Sequence, residues 1–319
     1  MATYKDIKGT SIEVVSSDPS NPVLGQIWYN TTSQTLKGIE FAAAAWATGG
    51  NLPTGTMELA GAGTQTAGLA FGGETPGADE TNSTFEYNGS SWTQTNNLGT
   101  ARRLLSGCGT QTAGLAFGGV TSGNARSDST EEYGGTSWTA GGAMGTARES
   151  LAGAGTQTAG LAIAGDVGPK QQTEEYNGSS WTSGGNLGTA RYQLAGAGTQ
   201  TAGLAFGGAP GTITATEEYD GSSWTAGGNL NTGRRELAGC GTQTAGLAFG
   251  GDTGSNSAAT ELYDGSSWTA SAAMNTGRQL LAGAGTQPAG LAFGGSLSPK
   301  AQTEEFTGPG PTTVTISGS

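Results

Sequence analysis

The chain contains no histidine. Catalytic triads that use an imidazole base, and zinc sites built on imidazole nitrogen, are therefore closed to it. What chemistry remains would fall to its 25 acidic residues, since hydrolysis of a glycosidic bond needs only two carboxylates. These acids are not scattered, however. Glu131, Glu174, Glu217, Glu261 and Glu304 each stand two residues before an aromatic, which marks a structural address. Five of the eight arginines share another: Arg102, Arg148, Arg191, Arg234 and Arg278 each precede a recurring glutamine by nine residues. One repeat departs at both addresses, with Thr56 in place of arginine and Phe85 in place of glutamate. Joint loss is what a charge-assisted pair within each repeat predicts. The competing reading is a ring of arginines that grips an anionic glycan. Asp166 and Asp252 open loops but lack the dense oxygen-ligand spacing of a calcium loop. No residue is expected to serve catalysis, bind a cofactor or hold a metal, and no enzymatic activity is expected.

The elements that must position these residues are set by a repeat. A Gly-x-Gly-Thr-Gln-(Thr/Pro)-Ala-Gly-Leu-Ala block recurs with its glutamine at Gln65, Gln111, Gln157, Gln200, Gln243 and Gln287. Trp46, Trp92, Trp138, Trp181, Trp224 and Trp268 keep the same steps of 46, 46, 43, 43 and 44 residues, and only Trp28 lies outside the series. Each unit holds four short apolar runs separated by turn chemistry, which at this period suits a four-stranded propeller blade. Asn88-Gly89, Asn177-Gly178, Asp220-Gly221 and Asp264-Gly265 mark the hairpin between the last two runs. On the second run Leu69 and Phe71 alternate with Ala70 and Gly72, large on one face and tiny on the other. Such a strand is sandwiched between neighbours. The 60 glycines each add about 0.5 to 1 kcal/mol of backbone entropy cost in a strand, so no unit stands alone. The expected fold is all-β: a six-bladed β-propeller of four-stranded blades over residues 41–319, with a short extension at residues 1–40. The strand around Trp46 is expected to complete the last blade and close the ring, removing free sheet edges. Phe41 and Phe306 compete to supply strand three of that closing blade. The six tryptophans of the series are expected in the blade core.

With Thr-Ala-Arg opening strand one, Gly-Gly closing strand two, Glu-x-Tyr on strand three and tryptophan on strand four, the unit resembles the kelch repeat from about residue 41 to 306. The tyrosine-to-tryptophan gap is shorter than in many kelch units, and the third unit reads Ile163-Ala164-Gly165. The Gly-Thr-Gln-Thr-Ala-Gly-Leu-Ala-Phe-Gly-Gly wording, together with Asn21-Pro22-Val23-Leu24-Gly25-Gln26-Ile27-Trp28-Tyr29-Asn30, is similar to virion proteins of marine bacteriophages of the tail-fibre or kelch-like kind. The resemblance implies a component of a phage particle, made in the host cytoplasm, and a partner set of other virion proteins.

Composition bounds the partners further. A net charge of −12 disfavours nucleic acid, whose phosphates require clustered Lys and Arg. No apolar run approaches the roughly 18 to 20 residues of a membrane span, and Met1 to Thr10 lacks the core of a signal peptide. Cys108 and Cys240 occupy one address in units two and five, where other units use alanine. With neighbouring inner strands about 10 Å apart, opposite units lie beyond the roughly 7 Å reach of a disulfide, so both are expected as free, buried thiols. The segments joining strands two and three share almost no wording: Glu74 to Ser83, Val120 to Ser129, Asp166 to Gln172, Ala209 to Ala215, Asp252 to Ala259 and Ser296 to Gln302. A uniform scaffold with one variable set of loops nominates that face for recognition of a host surface glycan or protein, against simple drift. The Thr-Gln-Thr turns of the opposite face are read as turn geometry. Residues 1–40, too few for a core of their own, are expected to attach the chain to the particle or to sister chains in a homo-oligomer.

Overall fold

The computed structural model describes residues 12–77, 80–168, 170–296 and 300–316. Met1 to Thr10, Ala78 and Asp79 of the first variable loop, Pro169 of the third, and residues 297–299 of the sixth lie outside the described residues. The chain divides into two units, one of residues 45–307 and one of residues 1–44 with 308–319. No helix among the described residues is long and apolar enough to cross a membrane.

Residues 45–307 are an all-β repeat of four-stranded antiparallel blades. The first sheet orders Ala60–Thr64, Ala67–Phe71, Thr84–Tyr87 and Trp92–Thr95, each beside the next. The next four begin at Ser106–Thr110, Ala152–Thr156, Ala195–Thr199 and Ala238–Thr242 and end on the strands that carry Trp138, Trp181, Trp224 and Trp268. In the sixth, Ala282–Thr286, Ala289–Phe293 and Thr303–Thr307 pair with Ala45–Thr48 from the other end of the chain. Phe306 stands opposite Trp46, which settles which phenylalanine supplies the third strand; Phe41 belongs to the other unit.

Small residues let these sheets approach. Cα atoms of neighbouring first strands come within 8 Å, closer than the 10 Å expected from side-chain-bearing sheets. Gly153 shows the reason: a Cβ there would sit 2.8 Å from the Gly107 carbonyl oxygen and 2.9 Å from Phe117 Cζ. Leu69, Leu115, Leu161, Leu204, Leu247 and Leu291 are fully buried. Cys108 and Cys240 are buried free thiols, and burial pushes both up to about 12.

Three sets of hydrogen bonds run from sheet to sheet and return from the last to the first. Gln65 Nε2 donates to the carbonyls of Gly290 and Phe306, and Gln111, Gln157, Gln200, Gln243 and Gln287 repeat this onto the preceding sheet at 2.6–3.1 Å. The conserved wording of the Thr-Gln-Thr turns therefore serves an inter-sheet staple as well as the turn. Tryptophan indoles form the second set: Trp92 donates to Thr303, Trp138 to Thr84, Trp181 to Thr130, Trp224 to Thr173, Trp268 to Thr216 and Trp46 to Thr260. These tryptophans lie between sheets, each on the third-strand aromatic of its own sheet and on the preceding phenylalanine where one exists, as Trp138 does on Tyr133 and Phe71 and Trp46 on Phe306 and Phe249. Trp46, Trp92 and Trp268 are buried; Trp138, Trp181 and Trp224 are half-buried.

The third set is backbone alone. Leu104 donates to Glu58, Ser150 to Leu104, Gln193 to Ser150, Glu236 to Gln193, Leu280 to Glu236 and Glu58 to Leu280, at 2.8–3.0 Å. All six residues hold φ between 52° and 57°. A left-handed conformation costs a non-glycine residue about 1 kcal/mol, and the inter-sheet hydrogen bond offsets it.

The second unit corrects the expected boundary of 40/41 and the assignment of the whole C-terminus to the repeats. Its sheet orders Glu13–Val15, Ile27–Asn30, Thr35–Ala42 and Gly310–Thr315, the first pair parallel. Proline at 309 and 311 ends the repeat pattern, and the uncharged threonine run that follows pairs residue for residue with Lys37 to Ala42. Trp28 is fully buried and donates to Asp18, as do Asn30 and Lys37. These donors, Lys37 first, hold the Asp18 carboxyl at about 2.

Candidate functional site

The end of the repeat unit that carries the variable loops rests on buried charge. Arg102 reaches Glu131 at 2.9 Å, Arg148 Glu174 at 3.1 Å, Arg191 Glu217 at 3.1 Å, Arg234 Glu261 at 2.8 Å and Arg278 Glu304 at 2.6 Å. Each pair lies within one sheet, because antiparallel pairing brings the approach to strand one beside the start of strand three. All five arginines are at most 1% exposed, and burial pulls their pKa down, that of Arg191 to about 10. The Arg148 contact meets the distance of an ion pair without the alignment of a hydrogen bond. The first repeat has buried Thr56 and Phe85 instead, which leaves no charge unpaired.

Both partners also hold backbone. The second oxygen of each glutamate accepts the amide three residues before the arginine, from Gly99, Gly145, Gly188, Asn231 and Asn275, at 2.6–2.7 Å. Arg102, Arg148, Arg191 and Arg234 donate to the last carbonyl of their own variable loop: Ser129, Gln172, Ala215 and Ala259. Arg278 donates to the side chain of Gln302 at the corresponding place. With its guanidinium enclosed beneath the loops, this address clamps their base. A ring of arginines presented to an anionic glycan is not what these side chains form.

Above the clamps lies a second, half-exposed tier that sequence reasoning did not assign. Arg103 pairs with Glu58, Glu80 and Glu74 of the preceding repeat at 2.8, 3.1 and 3.7 Å. Arg126 pairs with Glu149 and Asp166, Lys170 with Asp166, and Arg235 with Asp252. Lys170 also sits 4.0 Å above the Tyr192 ring. Glu58, Leu104, Ser150, Gln193, Glu236 and Leu280 line a cavity of about 150 Å³ together with the residues that follow them into the six first strands. Burial raises the carboxyl groups of Glu58 and Glu236 above the usual range; Gln193 donates to Glu236 at 2.7 Å. No group of three metal-ligating side chains converges among the described residues.

Sequence reasoning also missed a latch between sheets. Tyr87 donates to Glu305, Tyr133 to Glu86, Tyr176 to Glu132, Tyr219 to Glu175 and Tyr263 to Glu218, at 2.5–2.7 Å. At the remaining junction both partners are apolar, Phe306 and Leu262. That second joint exception was visible in the sequence beside the Thr56 and Phe85 one. A scan against protein-family models finds no match for this chain, and a search of curated proteins finds no relative.

Proposed function

We propose that residues 45–307 close as a six-bladed β-propeller of kelch-like blades, and that the chain is a non-enzymatic structural protein of a phage particle. On this reading it is a tail or fibre appendage whose variable loops contact the host surface. The observation that carries the recognition role is the contrast at one end of the repeats: five buried clamps hold the bases of loops of seven to ten residues that share almost no residue wording. Among the described residues these loops expose no large apolar side chain, so the partner contacted there is polar, a surface glycan or a hydrophilic protein face. The return of all three hydrogen-bond sets from the sixth sheet to the first supports ring closure. The wording of residues 21–30 and of the repeat block supports the virion assignment, with synthesis in the host cytoplasm. Residues 1–44 with 308–319 are the attachment unit, engaging other virion proteins or sister chains.

A head-decoration or purely architectural role is the second reading, favoured by the near-identity of everything except the loops. A carbohydrate-cleaving appendage is the third, resting on the half-buried carboxylates that line the cavity. Binding of the purified chain to host cells, lost when the Val120 to Ser129 and Asp252 to Ala259 loops are exchanged for Gly-Ser linkers, is the expected result for adhesion. Unchanged binding after the exchange contradicts it. Labelling in electron micrographs of particles separates tail from head, and sugar release from host glycan would favour the enzyme.

A further inference from the structure

Two of the hairpins between third and fourth strands hold an idle side-chain amide in solvent. Asn88 and Asn177 are exposed, and only these two of the chain's asparagines are followed by glycine. Asn88 Oδ1 accepts from the amides and hydroxyls of Ser90 and Ser91 at 2.9–3.4 Å, and Asn177 Oδ1 accepts from those of Ser179 and Ser180 over the same range. That leaves Nδ2, which at neither position donates to any of the described residues. Elsewhere the same atom is in use, for Asn30, Asn82, Asn96, Asn97, Asn231 and Asn275 all donate from it. The backbone amides of Gly89 and Gly178 are likewise without an acceptor among the described residues. Repeats four and five carry Asp220 and Asp264 at this address. One oxygen of each accepts both serine amides and the first serine hydroxyl at 2.7–2.9 Å, and the other oxygen takes Ser223 Oγ at 3.1 Å or Ser267 Oγ at 3.2 Å. These donors, the Ser223 amide first at Asp220 and the Ser266 hydroxyl first at Asp264, hold both carboxyls at about 2.

We propose that Asn88 and Asn177 are modification sites at which the chain converts its own side-chain amide to a carboxylate, with water as the only co-reactant. The Gly89 nitrogen gives its proton to solvent base and bonds to Asn88 Cγ; the Cγ–Nδ2 bond breaks, and Nδ2 takes a proton from solvent and leaves as ammonia. Water then opens the five-membered imide, its hydroxyl staying on Cγ and its other proton returning to the Gly89 nitrogen. Glycine suits the attack because it has no Cβ to crowd its nitrogen. Loss of Nδ2 breaks no hydrogen bond among the described residues, and the oxygen that replaces it is the one through which Asp220 accepts Ser223 Oγ. Opening the imide on its other side would instead run the backbone through Cβ and lengthen it by one atom. That would pull apart the Asn88 amide and Ser91 carbonyl, 3.2 Å apart, and the pairing of Tyr87 with Trp92; Asn177 sits in the same frame of Ser180, Tyr176 and Trp181. The hairpin therefore selects aspartate over isoaspartate. Both conversions together add two negative charges to the −12, at the end of the repeats away from the variable loops.

Peptide mapping by mass spectrometry of the full chain, held for weeks in mildly alkaline buffer, tests this. Asn88 and Asn177 are expected to exchange NH2 for OH ahead of every other asparagine, with aspartate outnumbering isoaspartate and the melting curve unchanged. The same chain unfolded in urea is expected to give mainly isoaspartate at both positions, since no strand pairing restrains the imide there. Asn88→Gly with Asn177→Gly, the residue that Gly134 supplies at this address in the second repeat, is expected to fold and to abolish both conversions. Asn88→Asp with Asn177→Asp is expected to melt with wild type. Asn88 and Asn177 still unmodified when the unfolded chain has converted, isoaspartate in equal excess in the folded and unfolded chains, or a lowered melting temperature for the Asn88→Asp, Asn177→Asp chain would overturn the proposal.

Discussion

Removing the charge of Glu217 leaves Arg191 buried and unpaired, because no solvent reaches that guanidinium. Glu217→Gln is therefore expected to destabilise the chain by about 3 to 5 kcal/mol, the cost of breaking one side of a buried pair. Chemical denaturation measures it. Replacing both partners, as in Arg191→Thr with Glu217→Phe, is expected to cost less, since Thr56 and Phe85 already occupy those addresses in the first repeat. The tyrosine latch carries a pH signature. Burial first, then the glutamate acceptor, raises Tyr87, Tyr133, Tyr176, Tyr219 and Tyr263 from 10 to about 12. The unfolded chain loses these protons from pH 10 while the folded chain keeps them until about 12. Stability is thus complete below pH 10 and falls between pH 10 and 12. Thermal melts from pH 8 to 11 are expected to show a drop confined to the upper end, and the Tyr176→Phe variant a shallower one. Arg102 and Glu131 could be read as partners from the sequence because both types vanish together. The six residues from Glu58 to Leu280 that make the backbone ring could not, because their contribution is a conformation and four different residue types satisfy it equally.

Between elements, the junction of the fifth and sixth sheets is the informative one. Phe306 is fully buried and faces the place where Leu262 replaces the glutamate acceptor. Phe306→Tyr alone places a hydroxyl there without its acceptor, at a cost of about 1 to 3 kcal/mol. Adding Leu262→Glu is expected to recover part of that loss, with a coupling of about 0.5 to 3 kcal/mol in a double-mutant cycle. Zero coupling would mean that the latch is incidental. The same logic applies to the glutamine staple: Gln111→Ala orphans the carbonyls of Gly68 and Tyr87 and is expected to cost about 1 to 3 kcal/mol. Four strands per repeat and their order were legible from turn chemistry and from the small-large alternation around Leu69. The role of the glutamine was not, since a turn and a staple leave the same wording in one repeat and differ only in what lies next door. The C-terminal strand was hidden for a similar reason. Gly308 to Pro311 announces the end of the repeat, but nothing local says that Thr312 to Thr315 pairs with a strand some 270 residues earlier.

At the scale of the molecule, the two units answer to different demands. Residues 45–307 expose no large apolar side chain among those described, while residues 12–41 expose six. Deleting residues 1–42 and 310–319 is accordingly expected to leave the main thermal transition within a few degrees of wild type; its collapse would contradict independent folding of the repeats. The variable loops were legible as a candidate surface because everything around them is copied, whereas the clamp beneath them required the coordinates of Arg102 and its counterparts. Closure would join the repeats into one body, with the strand at Ala45–Thr48 pairing with Thr303–Thr307 and the backbone hydrogen bonds returning from Leu280 to Glu58. Residue-resolved hydrogen exchange tests that directly. A closed ring predicts that the amides of Glu58, Leu104, Ser150, Gln193, Glu236 and Leu280 share one level of protection, matched by those of the Ala45–Thr48 strand. Fast exchange at Glu58 and Trp46 beside slow exchange at Ser150 and Gln193 would mean an open array with two free ends.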